Sequence, residues 1–298
     1  MTAVRGLSVN TNVAAPTIVA RGYAYSTPWR VITAALVALS GISMIVIFGL
    51  VLWSDDPPIT SGLLLVLFAG FVLLPAVPVS LIRLRAAARV EVDHLTMAII
   101  SRGFRLEVPS AAIKEVIPWV VPLPGPGFSL RMGSGRRLRY GVETTESAQL
   151  LQALVDTAEV SAAGIAARHP SLIYAAAKSA SCPGGWAHVL LKFVLFSLFP
   201  AVILFNAHQH IAYGGTLGEY YLLGARSYLT TFLVYWATTG IYLVLYAGMW
   251  RAVAEAVSLA AAWVARVYAE RARRIAENVC RAAYYGGVPL LLLIRFLP

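Results

Sequence analysis

The sequence predicts a membrane α-helical bundle of four transmembrane helices, with a small α+β domain inserted between the second and third. Three observations carry this expectation. The chain of 298 residues has a mean hydropathy of +0.72, with 59% hydrophobic and 13% charged residues, where soluble domains carry about 25% charged. It contains four apolar runs of roughly the twenty residues that a helix needs to cross a hydrocarbon core. After Arg83 the helical pattern gives way to short apolar-polar alternations broken by turn residues, which is how strands read.

The first run, Val31 to Trp53, has no charge and closes on a tryptophan, as expected at a membrane interface. The connection from Ser54 to Ser61 holds Asp55, Asp56 and two prolines, which end one helix and turn the chain back. The second run, residues 62–82, carries Pro75 and Pro78, so a kink is expected in its last turns. The third, residues 187–211, has Lys192 about one turn from its start, where the stem can snorkel to headgroups. The fourth, residues 227–250, is uncharged and rich in threonine and tyrosine, suited to contacts between helices. Residues 1–30 read as a tail with no apolar core before Val31, so no removable signal peptide is expected.

Sidedness follows from the basic residues. The two outer loops contain only Arg226, whereas Arg5, Arg21, Arg30 and almost all remaining Lys and Arg lie in the tail, the middle and the C-terminal segments. The positive-inside rule then places both termini and the inserted domain (residues 83–186) on the cytoplasmic side of an inner membrane. The same flanking charge accounts for a net +10 and a pI near 9.9. Nucleic-acid binding is not expected, because no recognition signature accompanies the charge. Cys182 and Cys280 both fall on the cytoplasmic side, which indicates packing rather than a disulfide.

After Trp250 no glycine or proline occurs until Gly286, which predicts one long basic helix over residues 251–285, with Val257, Val264, Val267 and Ile275 on its apolar face. The closing residues 286–298 are apolar but too short to cross, and include Arg295.

Six strands are predicted in the inserted domain: residues 89–93, 97–101, 104–108, 113–119, 128–132 and 136–142. In the last pair Phe128, Leu130 and Met132 share a face, Gly133-Ser134-Gly135 reverses the chain, and Leu138, Tyr140 and Val142 return on an apolar face. A helix follows from Thr144 or Thr145, with Leu150, Leu151, Leu154 and Val155 at core spacing. The run VEVDHLTMAIISRGFRLEVPSAAIKEV, with its strand, tight turn, Arg-Gly reversal and the segment Val108-Pro109-Ser110-Ala111-Ala112-Ile113, resembles the bacterial pleckstrin-homology-like (PH-like) membrane proteins over residues 83–158. The resemblance implies a PH-like antiparallel sheet closed by one helix, serving binding or scaffolding, with no catalytic residues to transfer. The chain departs from that family in offering six strands rather than seven, and in the PLPGPG run of residues 122–127.

Two sets of side chains are candidates for binding lipid headgroups or a partner. Arg131, Arg137 and Arg139 alternate onto the outward face of the last hairpin, with Arg136 at its turn. Arg266, Arg271, Arg273 and Arg274 give the long helix its basic surface. His208 and His210 are the only pair that suggests a metal or haem, and their i,i+2 spacing puts them on different helix faces. No P-loop, nucleophile elbow or mid-span ionisable residue is present in the sequence.

The expectation is therefore a non-enzymatic membrane accessory, assembly or scaffold protein without a cofactor, whose partners are membrane lipids and other membrane-protein subunits. A carrier or channel for an uncharged or lipidic substrate, and a haem-binding electron-transfer subunit using the histidines, are the alternatives.

Overall fold

A computed structural model describes residues 18–53, 60–156, 158, 160–180 and 185–296, with the side chains of 291, 295 and 296 excepted. The expectations for residues 1–17, the 54–59 turn, Cys182 and the Arg295 side chain fall outside the described residues.

The chain enters as a strand, β1 (Ile18–Ser26), and passes directly into α1 (Thr27–Trp53). It returns through α2 (Ser61–Phe68), a π-helical turn (Ala69–Leu73) and α3 (Leu74–Ala86), which together make one apolar helix. Six strands follow: β2 (Ala87–Val92), β3 (Thr96–Ser101), β4 (Phe104–Pro109), β5 (Ile113–Pro118), β6 (Gly127–Met132) and β7 (Tyr140–Glu143). Three short helices come next: α4 (Ser147–Asp156), α5 (Ser161–Ala167) and α6 (Pro170–Ser179). Then α7 (Trp186–Leu190), a second π-helical turn (Leu191–Leu195) and α8 (Phe196–Tyr213) form another apolar helix. The chain ends in α9 (Gly218–Val264), α10 (Ala269–Tyr285) and α11 (Gly287–Phe296).

Four of these helices are long and apolar enough to cross a membrane, which fits a multi-pass membrane protein. They leave many large apolar side chains outward, among them Ile42, Val66, Leu74 and Leu233. The first π-helical turn ends at Leu73, directly ahead of Leu74 and Pro75, whose ring removes one helical hydrogen bond and clashes with the Phe71 carbonyl in that turn, so an extra residue there relieves the strain. Carbonyls in both π-helical turns are met from neighbouring helices: Ser40 Oγ of α1 donates to Val72 O at 3.2 Å, and Trp236 Nε1 of α9 donates to Val194 O at 3.2 Å. Backbone groups freed in an apolar surround need such donors.

The sheet is antiparallel and seven-stranded, in the order β4-β3-β2-β1-β7-β6-β5. The seventh strand is β1, in the segment expected to be a tail. It sits at the centre, pairing Ala20 with Val90 on one side and Ala24 with Val142 on the other. Its core positions are filled by Ala20 and Ala24 rather than by large aliphatics, so its alternation is faint in the sequence. Gly22 permits a close approach there, since a Cβ would lie 2.2 Å from the Glu143 carbonyl oxygen. The domain is thus not simply inserted after a hairpin: the α1 to α3 hairpin is itself an insertion between the first two strands of the sheet.

The last predicted strand is shorter than expected. Regular pairing is confined to Tyr140–Glu143, and its earlier part meets β6 only at an isolated bridge, Arg131 with Arg137. Gly135, at φ +80°, makes the turn. Val90, Ile99, Phe128, Leu130 and Val142 pack under Leu150, Leu151 and Leu154 of α4 in one core, as the periodicity of α4 predicts.

The long helix expected over residues 251–285 is broken. α9 stops at Val264, Ala265 takes φ −136° and ψ 65°, and after one 3-10 turn (Arg266–Tyr268) α10 runs back along α9. Alanine is a good helix former, so the break is not local in origin. Folding back buries Ala262 and Ala269 in one cluster and brings Cys280 Sγ to the Trp250 carbonyl at 3.2 Å. That tertiary gain outweighs helix continuation. α11 follows α10 and seats Val288 against Leu243 and Tyr284.

Candidate interaction surfaces and buried charge junctions

The hairpin arginines lie together at one end of the sheet. Arg136, Arg137 and Arg139 are exposed, and the isolated bridge sets Arg131 directly opposite Arg137. Arg131 Nη1 reaches Glu115 Oε2 at 2.6 Å on the neighbouring strand, and Arg139 lies 5.8 Å from the Tyr140 ring centroid. Arg131 is therefore partly neutralised by β5, and the free charge concentrates on the turn side of the hairpin.

The helical arginines divide. Arg266 and Arg271 are exposed, and Arg274 makes a surface pair with Glu270 at 3.1 Å. Arg273 is only 6% exposed and its guanidinium is turned inward, so it offers no surface to lipid or a partner. It binds Glu255 through Nη1 at 3.0 Å and Nη2 at 3.3 Å, and Glu277 through Nε at 2.9 Å. Tyr174 of α6 donates its hydroxyl to Glu255, and Lys178 of the same helix lies 3.2 Å from Glu255. Burial pushes the Tyr174 hydroxyl pKa up, so it stays a donor. The polar centre thus locks α6, the last part of the sheet domain's helical extension, onto both arms of the α9–α10 hairpin.

A second junction ties the end of α3 to the sheet. Arg83 Nη2 contacts Glu143 Oε1 and the Pro124 carbonyl, both at 3.2 Å, and its guanidinium lies 5.4 Å from the Tyr23 ring centroid. The PLPGPG loop is moulded to this pair, since a Cβ on Gly125 would fall 2.3 Å from Glu143 Oε1. Beside it Trp119 donates to Ser129 Oγ at 3.0 Å, and Arg30 at the start of α1 stacks 4.6 Å from the Trp119 ring centroid. Both helices of the first hairpin are thereby held to the sheet.

Burial raises the Glu143 pKa above its ordinary 4.5, although Arg83 and Lys178 pull the other way. The folded state therefore holds this proton more tightly than the unfolded chain. Its contribution to stability is largest below about pH 4.5 and is lost as pH rises through the raised value. Relative to Glu143→Gln, which cannot titrate, the wild-type protein should lose stability over that rise, as read by unfolding in detergent at successive pH values. A constant difference between the two proteins would show that Glu143 titrates normally.

On the opposite end of the apolar helices, His208 and His210 do not converge. The His208 ring packs against Tyr213 and Tyr235, at 6.0 and 5.3 Å between centroids, and His210 Nδ1 lies 3.0 Å from the Asn206 carbonyl. Among the described residues no group of three or more His, Cys, Asp or Glu side chains is placed to hold a metal ion. The organising group here is Glu219, 2% exposed, which accepts from Gln209 Nε2 at 2.6 Å, Ser227 Oγ at 2.8 Å and Thr231 Oγ1 at 2.6 Å. It pins the bend at Gly224, whose φ of +82° turns the first helical residues away from the rest of α9.

Lys192 sits in the second π-helical turn with Nζ 4.3 Å from the Tyr284 ring centroid, while Tyr284 donates its hydroxyl to the Lys192 carbonyl at 2.9 Å. Arg83, Glu143, Glu219 and Glu255 were not singled out by sequence reasoning. The one available signal was an isolated acid in an otherwise basic or apolar stretch, which Glu219 and Glu255 both are.

Fold and surfaces together define a chain with four membrane-length helices interleaved with an antiparallel sheet domain. No family model matches it, and no curated protein or solved structure shows significant similarity to it.

Proposed function

We propose that the chain is a non-enzymatic accessory or scaffold protein of the cytoplasmic membrane, with both termini and the sheet domain on the inner side, binding protein partners or anionic lipid headgroups. The observation that carries this reading is the interleaving of sheet and apolar helices. A domain merely tethered to a membrane needs one connection. Here β1 feeds α1, α3 feeds β2, and α6 is locked to α9 and α10 by Glu255 and Arg273, so force or occupancy at the sheet passes directly to the helices. The seven strands and the packing of α4 across the sheet support the PH-like reading of the domain. The arginines of the β6–β7 hairpin are the candidate headgroup contacts.

Two measurements on the full chain in intact cells and lipid nanodiscs test this, with Cys182 and Cys280 replaced by alanine. A cysteine at Ser61 should react with an impermeant thiol reagent from outside the cell and one at Ser134 should not; the reverse pattern overturns the orientation. A fluorophore on Ser134→Cys should be quenched by headgroup-labelled anionic lipid. Replacing Arg136, Arg137 and Arg139 by Gln should weaken that quenching, by up to about 1 kcal/mol per charge. Equal quenching in both proteins would leave the hairpin a solvated face.

A further inference from the structure

Among the described residues, α6 packs on one side of the α9–α10 hairpin. Ala254, Ser258 and Ala262 of α9 are buried, Ala262 in one cluster with Ala269 of α10; one position later, Glu255 accepts from Tyr174 of α6, and Leu259 packs on the same cluster as Ile173. The residues one position earlier, Val253 and Val257, point the other way. On α10 the same relation holds, with Tyr268 preceding buried Ala269 and Val279 preceding Cys280. Each residue turns a helix by about 100°, and in an antiparallel pair a step back on both helices brings both stripes to the same side. Val253, Val257 and Val264 from α9, with Tyr268 of the 3-10 turn and Ile275 and Val279 from α10, thus line one apolar face, and they are 42% to 91% exposed together with the neighbouring Val267. An exposed apolar patch of this kind marks an interaction site.

We propose that this face is a docking groove for an acidic amphipathic helix of a partner protein. The inference rests on the scaffold reading above and names the partner's chemistry. A groove between two helices about three turns long suits a third helix laid into it by its apolar side. The charge around the groove selects an acidic occupant: residues 251–285 hold six arginines against three glutamates, with Glu255 and Glu277 occupied by Arg273 and Glu270 by Arg274. Arg266 and Arg271 remain exposed beside it.

A second copy of the chain would set two such basic hairpins against each other. Residues 1–17 contain Arg5 and no acid, so the chain's own leading segment does not fit either. A lipid surface is the remaining apolar occupant, and the charge of the hairpin with the lipid arm of the test below separates it from a partner helix.

The test uses the full chain in nanodiscs and a fluorescein-labelled synthetic helix of leucine and glutamate, its lysine counterpart and a scrambled control. The glutamate peptide should bind, and Val257→Glu or Ile275→Glu should weaken binding about tenfold or more by placing acid on the apolar contact. Both positions are exposed, so the fold is retained. Absent binding of the glutamate peptide, equal binding of the lysine or scrambled peptide, or indifference to both substitutions overturns the proposal. So does a chain dimer dissolved by Ile275→Glu, or quenching of a label at Ile275 by labelled lipid to the depth of one at Leu233. Lipid quenching at Leu233 with no peptide binding rejects the groove while leaving the membrane reading in place.

Discussion

A fragment comprising residues 83–180 should remain unfolded, whereas one in which residues 18–26 are joined through a short Gly-Ser linker to residues 87–180 should form the sheet. β1 is paired over six positions with β2 and four with β7, and Thr144 Oγ1 also donates to the Arg21 carbonyl at 2.9 Å. Without it the sheet falls into two three-stranded halves with two open edges and the core contacts of Ala20 and Ala24 missing. Small sheets with exposed edges are marginal or aggregate. The loss should exceed the whole stability of such a domain, about 5–15 kcal/mol. Dispersed amide resonances decide the matter, and a well-folded 83–180 fragment would falsify the central role of β1.

Arg273→Met should destabilise the full chain by about 3–5 kcal/mol, the cost of stranding a carboxylate whose partner is removed from a buried pair. The side chain of Arg273 is 7% exposed and that of Glu255 24%, so solvent screens the pair only partly. Lys178 remains within 3.2 Å and should hold the loss toward the lower end. Adding Glu255→Gln to Arg273→Met should recover part of it, because the stranded charge is then gone, and the double-mutant cycle reads that coupling. Unfolding in mixed micelles gives the midpoints. A loss below about 1 kcal/mol would place the pair with ordinary surface bridges.

What could be read from the sequence, and what could not, divides along the distance between interacting residues. The four apolar runs are local signals and correspond to the four membrane-length helices. The core of α4 and the inward face of β6 follow from spacing alone, and Leu150, Leu151, Leu154, Phe128 and Leu130 are at most 1% exposed. β1 escaped because alanine holds its core positions and its partners lie beyond an entire helical hairpin. The break at Ala265 escaped because nothing in the residues around it opposes a helix. Only packing along the returning α10 does. The charge junctions escaped for the same reason, since Arg83 and Glu143 are 60 residues apart and Glu255 and Tyr174 are 81 apart. Arg273 looked like its exposed neighbours because a helix surface and a helix interface have the same composition when the interface is ionic.

The interleaved strand order also has a consequence for biogenesis. The ribosome delivers β1 first, at roughly 5–20 residues per second, and the strand must wait for the whole α1 to α3 hairpin and then for β7 before its ladder can close. Tyr23 pairs with both Ala87 and Glu143, so closure requires the two ends of that hairpin to lie side by side. On the proposed reading, a chain that inserts only one of the two helices would leave β1 and β2 on opposite faces with the ladder open. Closure of the sheet is then the geometric condition that both helices have crossed.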